Sequence, residues 1–316
     1  MDSSSEKNIK KLKEKIKSNE RLAFFIGSGA SDTLGIPTWK NLLTNMCSIA
    51  NIEKNLIKDF LDQEKYQEAA SKISQTIGDD KKFFDLLHEL CTQSKDNYAA
   101  LHYEIIKVIN ASECANIIFT TNYDNAFEIA HKMNISKKIN IQKFPHFNPL
   151  EIFDDPIIIY LHGNNDEKKY VFRKEEYDKY YPTISKKKEH TSDQLESFLY
   201  YVFSSINLVF IGFSFGDWYL RDYYKDVIKR NLNNRVEHLN TFGKVYPYTE
   251  VEHFAILEND KNHISRLEDL NINLIKYDKN PITGFSQHNR VTELLVEIFR
   301  EPKIAEGKAS EASHEA

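Results

Sequence analysis

Four short apolar runs in this chain each stop abruptly at small or polar residues, and that pattern limits the folds open to it. "RLAFFIG" gives way to "SGASD", "ANIIFT" to "TNYDN", "PIIIYL" to "HGN", and "INLVFI" to "GFSFGD". Short apolar runs rich in β-branched and aromatic residues, bounded by glycine or asparagine, predict strands buried on both faces. Helical periodicity follows each of them, so the strands are joined by crossovers rather than tight hairpins. "EHFAIL" and "INLIKYD" supply two further runs. The expectation is an α/β fold: a Rossmann-like, mostly parallel sheet with helices on both faces. In such a sheet ligands collect at the carboxyl ends of the strands. The four polar segments would therefore share one edge.

Between the runs, Ile9, Leu12 and Ile16 fall on one face of a helix that Ser3 to Ser5 would cap. From about Trp39 to Asn110 the pattern is helical, with breaks near Asn51 and Gly78, and residues 45–110 predict a helical insertion. A helix is expected from Asn125 to His131. Residues 132–156 are polar, carry Pro145, Pro149 and Pro156, and predict an irregular crossover. "KKYVFRKEEYDKYY" predicts a short strand and a helix start, and Asp260 to Leu270 and Val291 to Phe299 predict two more helices. Residues 1–303 are expected to form one domain, and the small, polar stretch 304–316 to be disordered.

Composition narrows the function classes. The 316 residues are 41% hydrophobic and 12% aromatic, which supports a substantial core. A formal charge of −5 argues against a general nucleic-acid or membrane surface. The basic runs "KKLKEK" and "SKKKEH" read as solvated faces. Cys47, Cys91 and Cys114 form no CxxC pair, so neither a disulfide framework nor a four-cysteine zinc site is available. No stretch approaches the roughly 20 apolar residues of a membrane span, and "MDSSSEKNIKKLKEK" has no signal-peptide core. A soluble, cytoplasmic protein is expected.

At the strand ends, Gly27 and Gly29 would let backbone amides approach a phosphate at a helix N-terminus, with Asp32 where a dinucleotide fingerprint has its third glycine. The same residues also suit a plain turn. Gly35, Ile36, Pro37, Thr38 and Trp39 make a rigid loop with either an exposed aromatic or a core anchor. Thr121, Asn122, Tyr123, Asp124 and Asn125 cluster where a strand hands over to a helix, and Asp124 or Asn125 suits helix capping. His162 ends a buried strand, as a site residue or as a histidine bonded to backbone. Gly212, Ser214 and Asp217 close the fourth run, where capping and ligand roles are compatible. His88, His102 and His190 have helical or loop contexts and read as structural.

"GSGAS…GIP.W", "TTNYD", "LHG" and "GFSFGD", in this order and at these strand ends, resemble the sirtuin fold. More closely, they resemble the sirtuin-like NAD hydrolases of bacterial antiphage defence systems, and "YVFRKEEYDKYY" is similar to what that group carries. The resemblance runs from about Arg21 to Tyr277. Two departures stand out. The cysteine pairs of the zinc module of protein-deacylating sirtuins are missing, and the "GIP-aromatic-Arg" loop ends here in Trp39 and Lys40. Both favour hydrolysis of NAD over deacylation.

The resemblance implies a division of labour. Gly27, Ser28, Gly29, Ala30 and Ser31 would cradle the pyrophosphate of NAD, with Asp32, Pro37, Thr38, Trp39, Thr121 and Gly212 also at the cofactor. Asn122 would hold the ribose and water, and Asp124 would lie near the nicotinamide. His162 would be the general base, Ser214 would touch the phosphate or adenosine side, and Asp217 would lie near it. NAD would be the substrate and no metal would take part. The expected output is nicotinamide, ADP-ribose and depletion of cellular NAD in abortive infection. Homo-oligomerisation or a separate sensor, such as a HerA-type ATPase or an Argonaute-like protein, would supply control. A zinc-free deacylase or ADP-ribosyltransferase, and a non-catalytic NAD-binding module, are the alternatives.

Overall fold

The computed structural model describes residues 2–92, 99–134, 137–145, 148, 151–152, 156–181, 190–242, 251–278 and 288–300. Pro149 and the stretch expected to be disordered lie outside these residues. Among the described residues there are nine strands: β1 Leu22–Ile26, β2 Ala115–Thr120, β3 Asn140–Lys143, β4 Ile157–Tyr160, β5 Gly163–Asn164, β6 Lys169–Tyr170, β7 Asn207–Ile211, β8 His253–Glu258 and β9 Ile272–Tyr277. Seven of them form one sheet in the order β3-β4-β2-β1-β7-β8-β9. Every pair in it is parallel. β5 and β6 form a small antiparallel ribbon.

The inner strands β1, β4 and β7 are buried at every position, which is why they read as unbroken apolar runs. Successive side chains go to opposite faces. Phe25, Phe119, Ile159 and Phe210 enter one core, with helices α8 Lys174–Tyr180, α9 His190–Ser205 and α10 Trp218–Phe242. Phe24, Ile118, Ile158 and Val209 enter the other, with α1 Ser3–Lys17, α6 Ala100–Ala111, α7 Ala126–Met133 and α12 His288–Phe299. Helices α2 Trp39–Ile49, α3 Asn55–Asp62, α4 Tyr66–Ile77 and α5 Asp80–Cys91 build a third cluster of their own, which also takes in Tyr123, Tyr170 and Phe172. The helical stretch is thus divided, because α6 packs with the sheet. Cys47, Cys91 and Cys114 are unpaired and buried.

Local chemistry departs from expectation at several points. Asp2, rather than Ser3 to Ser5, caps α1 by accepting from the Ser5 amide at 2.8 Å. Ser5 faces inward instead: its hydroxyl accepts from the Lys276 amide at 2.9 Å, while Asn8 Nδ2 donates to the Leu274 carbonyl at 2.8 Å. Side chains of α1 therefore satisfy backbone groups of the edge strand β9. The crossover at 132–156 contains the edge strand β3, whose "NIQK" is too polar to announce itself. The helix expected over Asp260 to Leu270 is broken into α11 Lys261–Ser265 and a 3-10 turn, Glu268–Leu270, ended by Asn271 in the left-handed region at φ 53°.

Candidate active site

The order in which strands are added reverses between β1 and β7, and the loops beyond these parallel strands meet there. The Gly27 amide donates to the Ile211 carbonyl and the Gly29 amide to the Gly212 carbonyl, both at 3.0 Å. A Cβ on Gly27 would lie 2.5 Å from the Gly212 oxygen, and one on Gly212, at φ +63°, would lie 2.3 Å from the Ala30 nitrogen. The glycines are required by backbone touching backbone. Ser28–Leu34 then coils as a 3-10 helix. The amides of Gly29 and Ala30 are already bonded, the latter to the Gly27 carbonyl at 3.0 Å.

Beside this crevice opens a cleft of about 770 Å³. Ser28, Gly29, Ala30, Thr38, Trp39, Gly212 and Ser214 line it. Gly27, Ser31, Asp32, Pro37, Thr121, Asn122, Asp124, His162 and Asp217 do not, and Asp32 points to solvent. Trp39 is half-buried rather than exposed, because its ring stacks on Phe172 at 4.8 Å and meets Tyr66 at 5.9 Å. At the rim, Arg266 and Glu64 form an ion pair that ties the α3–α4 turn to the segment after α11.

Away from the cleft lies a buried polar layer. The Ser31 hydroxyl donates to Asp124 Oδ2 at 2.8 Å, and Asn122 Nδ2 donates to Ser31 Oγ at 3.0 Å. His102 Nε2 stands 3.3 Å from the same oxygen. A hydroxyl has one hydrogen, and here Asp124 takes it. Asn122 and His102 must therefore both donate, which fixes His102 as the Nε2–H tautomer and turns the Asn122 carbonyl oxygen away. Among the described residues, that oxygen and His102 Nδ1 are buried without a hydrogen-bond partner. Burial lowers the pKa of His102, with the Asp124 carboxylate pulling the other way. Asp124 Oδ1 also accepts from the Ala126 amide at 3.1 Å, so it caps α7 as expected, whereas Asn125 makes no capping bond. Thr121 pins this segment to β1, its amide donating to the Ile26 carbonyl at 3.1 Å.

His162 lies at the end of β4, the strand that pairs with β2. The chain turns sharply after it at Gly163, φ +86°, where a Cβ would meet the Lys169 oxygen at 1.9 Å. The imidazole is fully buried among the rings of Tyr123, Tyr177 and Tyr181, at 6.5, 5.3 and 5.5 Å. Tyr177 Oη is equidistant, 3.3 Å, from both ring nitrogens and donates to Asp217 Oδ2 at 2.8 Å. Asp217 Oδ2 is itself 3.4 Å from His162 Nε2. Asp217 was expected beside Ser214 at the cofactor; the first turn of α10 instead swings it under the β4 end, while Ser214 stays exposed. Burial pushes His162 down to about 3, opposed by a hydrogen bond with the Thr121 backbone, and pushes Asp217 up to about 6. The imidazole is neutral at pH 7.

The structure thus joins Ser31, Asn122 and Asp124 in one network and Asp217 with His162 in another. His102 is the residue that sequence reading left as structural although it contacts Ser31. On α6 it sits between Leu101 and Ile105 like any core histidine, and only the packing of α6 on the sheet brings it to Ser31. Among the described residues, no group of three or more His, Cys, Asp or Glu side chains could hold a metal, and no helix is long and apolar enough to cross a membrane.

A solved structure from work on the structural basis for the mechanism and regulation of Sir2 enzymes aligns over 95% of this chain and 98% of its own, at 12% identity and a TM-score of 0.45. No curated protein matches the sequence. The profile of the SIR2-like domain matches residues 116–275, just over half of the chain, a span that includes Asn122, Asp124, His162, Ser214 and Asp217. This chain belongs to the SIR2-like domain family.

Proposed function

We propose that this protein breaks the nicotinamide–ribose bond of NAD and passes the ribosyl group to water, releasing nicotinamide and ADP-ribose. The observation that carries the reading is the pairing of a buried, unpartnered Asn122 carbonyl oxygen with the neutral imidazole of His162 on the ends of adjacent strands. Bond cleavage builds positive charge on the ribose, as in glycoside hydrolysis. The leaving group is already cationic, so no strong acid is needed. What the reaction needs is an acceptor to hold a ribose hydroxyl or water, and a neutral base. Water is favoured over an acylated lysine as the acceptor because tyrosine rings enclose His162.

Asn122 and His162 do not line the cleft, so the site must open before turnover. That closure supports an enzyme held inactive until triggered, in keeping with the resemblance to antiphage effectors. Self-assembly or a sensor protein of the HerA or Argonaute-like type would be the trigger.

The test is nicotinamide release from NAD by purified protein, followed by chromatography, beside Asn122→Ala and His162→Ala, with and without an acylated peptide. Release without peptide, lost in both folded variants, is the expected result. Release only with peptide would replace hydrolysis by deacylation. Saturable NAD binding without release, persisting with candidate partners added, would make the chain a binding module.

A further inference from the structure

We infer that Asp217 is the positioning partner of His162: its carboxylate orients the imidazole and balances the charge that the ring takes on when it accepts a proton. This rests on the hydrolytic reading and goes beyond it by giving Asp217 a place in the proton path.

The two carboxylate oxygens have separate work. Oδ1 accepts from the Leu220 amide at 3.3 Å, inside the first turn of α10. Oδ2 faces the site, taking the Tyr177 hydroxyl at 2.8 Å and standing 3.4 Å from His162 Nε2. Both side chains are withdrawn from water, at 1% exposure for His162 and 7% for Asp217. The other groups against the ring are Tyr123, Tyr177 and Tyr181, and burial pushes the ionisation of all three phenols far above its usual range. Among the described residues, Asp217 is the carboxylate within ion-pair distance of the imidazole.

The reaction needs such a partner. As the water oxygen bonds to the ribose carbon, the bond from that carbon to nicotinamide breaks, and its electron pair neutralises the nicotinamide nitrogen. One water proton is left over; His162 takes it and later returns it to solvent. A buried imidazolium without a counter-charge is strongly disfavoured. A carboxylate beside it offsets that penalty and holds the ring in one orientation, as in Ser-His-Asp triads. Tyr177 fixes the carboxylate from the other side.

The test separates charge from capping. Asn and Ser both cap helix N-termini, so Asp217→Asn and Asp217→Ser keep α10 capped while removing the charge. His162, labelled with nitrogen-15 in the ring and assigned against His162→Gln, is observed by NMR at about pH 8, where Asp217 is ionised, in the full-length protein and both variants. Where Asp217 is ionised we expect one ring tautomer in the wild type, and nitrogen shifts that move toward a mixed tautomer population in each variant. In the release assay kcat should fall roughly a hundredfold or more, with KM for NAD held within about threefold. Tyr177→Phe should cost about tenfold or less. Unchanged His162 ring-nitrogen shifts in either folded variant, or undiminished kcat, overturn the assignment. If the wild type releases no nicotinamide even with candidate partners added, the hydrolytic reading fails by itself, and the ring-nitrogen shifts alone decide the role of Asp217.

Discussion

The cleft and the buried polar layer are built from different materials. At the β1–β7 crevice the shape comes from backbone: Gly27, Gly29 and Gly212 touch main chain to main chain. In the polar layer the shape comes from side chains, with Ser31 as a hub whose single hydrogen dictates the orientation of Asn122 and His102. The first region should fail when an atom is added and the second when one is removed. Recognition through backbone is insensitive to side-chain chemistry; the polar layer depends on it completely.

The sharpest break is Gly212→Ala. A Cβ 2.3 Å from the Ala30 nitrogen, at a positive φ, adds steric overlap to backbone strain. About 3 kcal/mol or more of stability should be lost in denaturant unfolding, although no polar side chain is touched. Next is Ser31→Ala, which removes one oxygen and leaves Asp124 Oδ2, Asn122 Nδ2 and His102 Nε2 without their shared partner. A loss of about 2 kcal/mol is expected, together with loss of nicotinamide release.

Titration sharpens the comparison further, because the pair at the β4 end carries two shifts of opposite sign. His162 is lowered to about 3, so the unfolded chain binds its proton first, and stability falls as pH drops below the usual histidine range. Asp217 is raised to about 6, so the folded chain binds its proton first, and stability rises as pH drops through that value. The two largely cancel in the wild type between about pH 6 and pH 4. His162→Gln should therefore gain stability on acidification and Asp217→Asn should lose it, by about 2 kcal/mol each between pH 7 and pH 4. Parallel acid limbs in urea unfolding would show the pair to be uncoupled from folding. The smallest effect belongs to the rim, where Arg266→Ala breaks a partly exposed ion pair. Stability should change by roughly 0.5 kcal/mol, while NAD affinity, read by calorimetry, weakens more.

The sheet was legible because inner parallel strands must be apolar throughout, so LAFFI, ANIIFT, IIIY and NLVFI declare themselves. The pairing of β2 with β4 then brings the segments that carry Asn122, Asp124 and His162 to one edge of the sheet, although their side chains enter separate networks. Polar edge strands escape such a reading: β3 has no apolar face to advertise. The side-chain contacts escaped it as well, including that of Asp217, itself a candidate, with His162. His102 and Asp217 reach the site through the packing of α6 and the entry of α10, and neither helix shows in its own residues what lies across from it. The capping signal at Asp217 was visible, but a cap explains one carboxylate oxygen and says nothing of the other.

The way α1 meets β9 also governs how copies of this chain could associate. A sheet with an open margin can be prolonged by a strand from a neighbour, and filaments grow readily in that manner. Here the margin at β9 is closed by the chain's own first helix, since Asn8 and Ser5 already occupy the Leu274 carbonyl and the Lys276 amide. Continuation of the sheet from one molecule into the next is blocked on that side. Contact between copies there has to run through helical surfaces, and losing Ser5 and Asn8 together would unblock the margin and invite uncontrolled polymerisation.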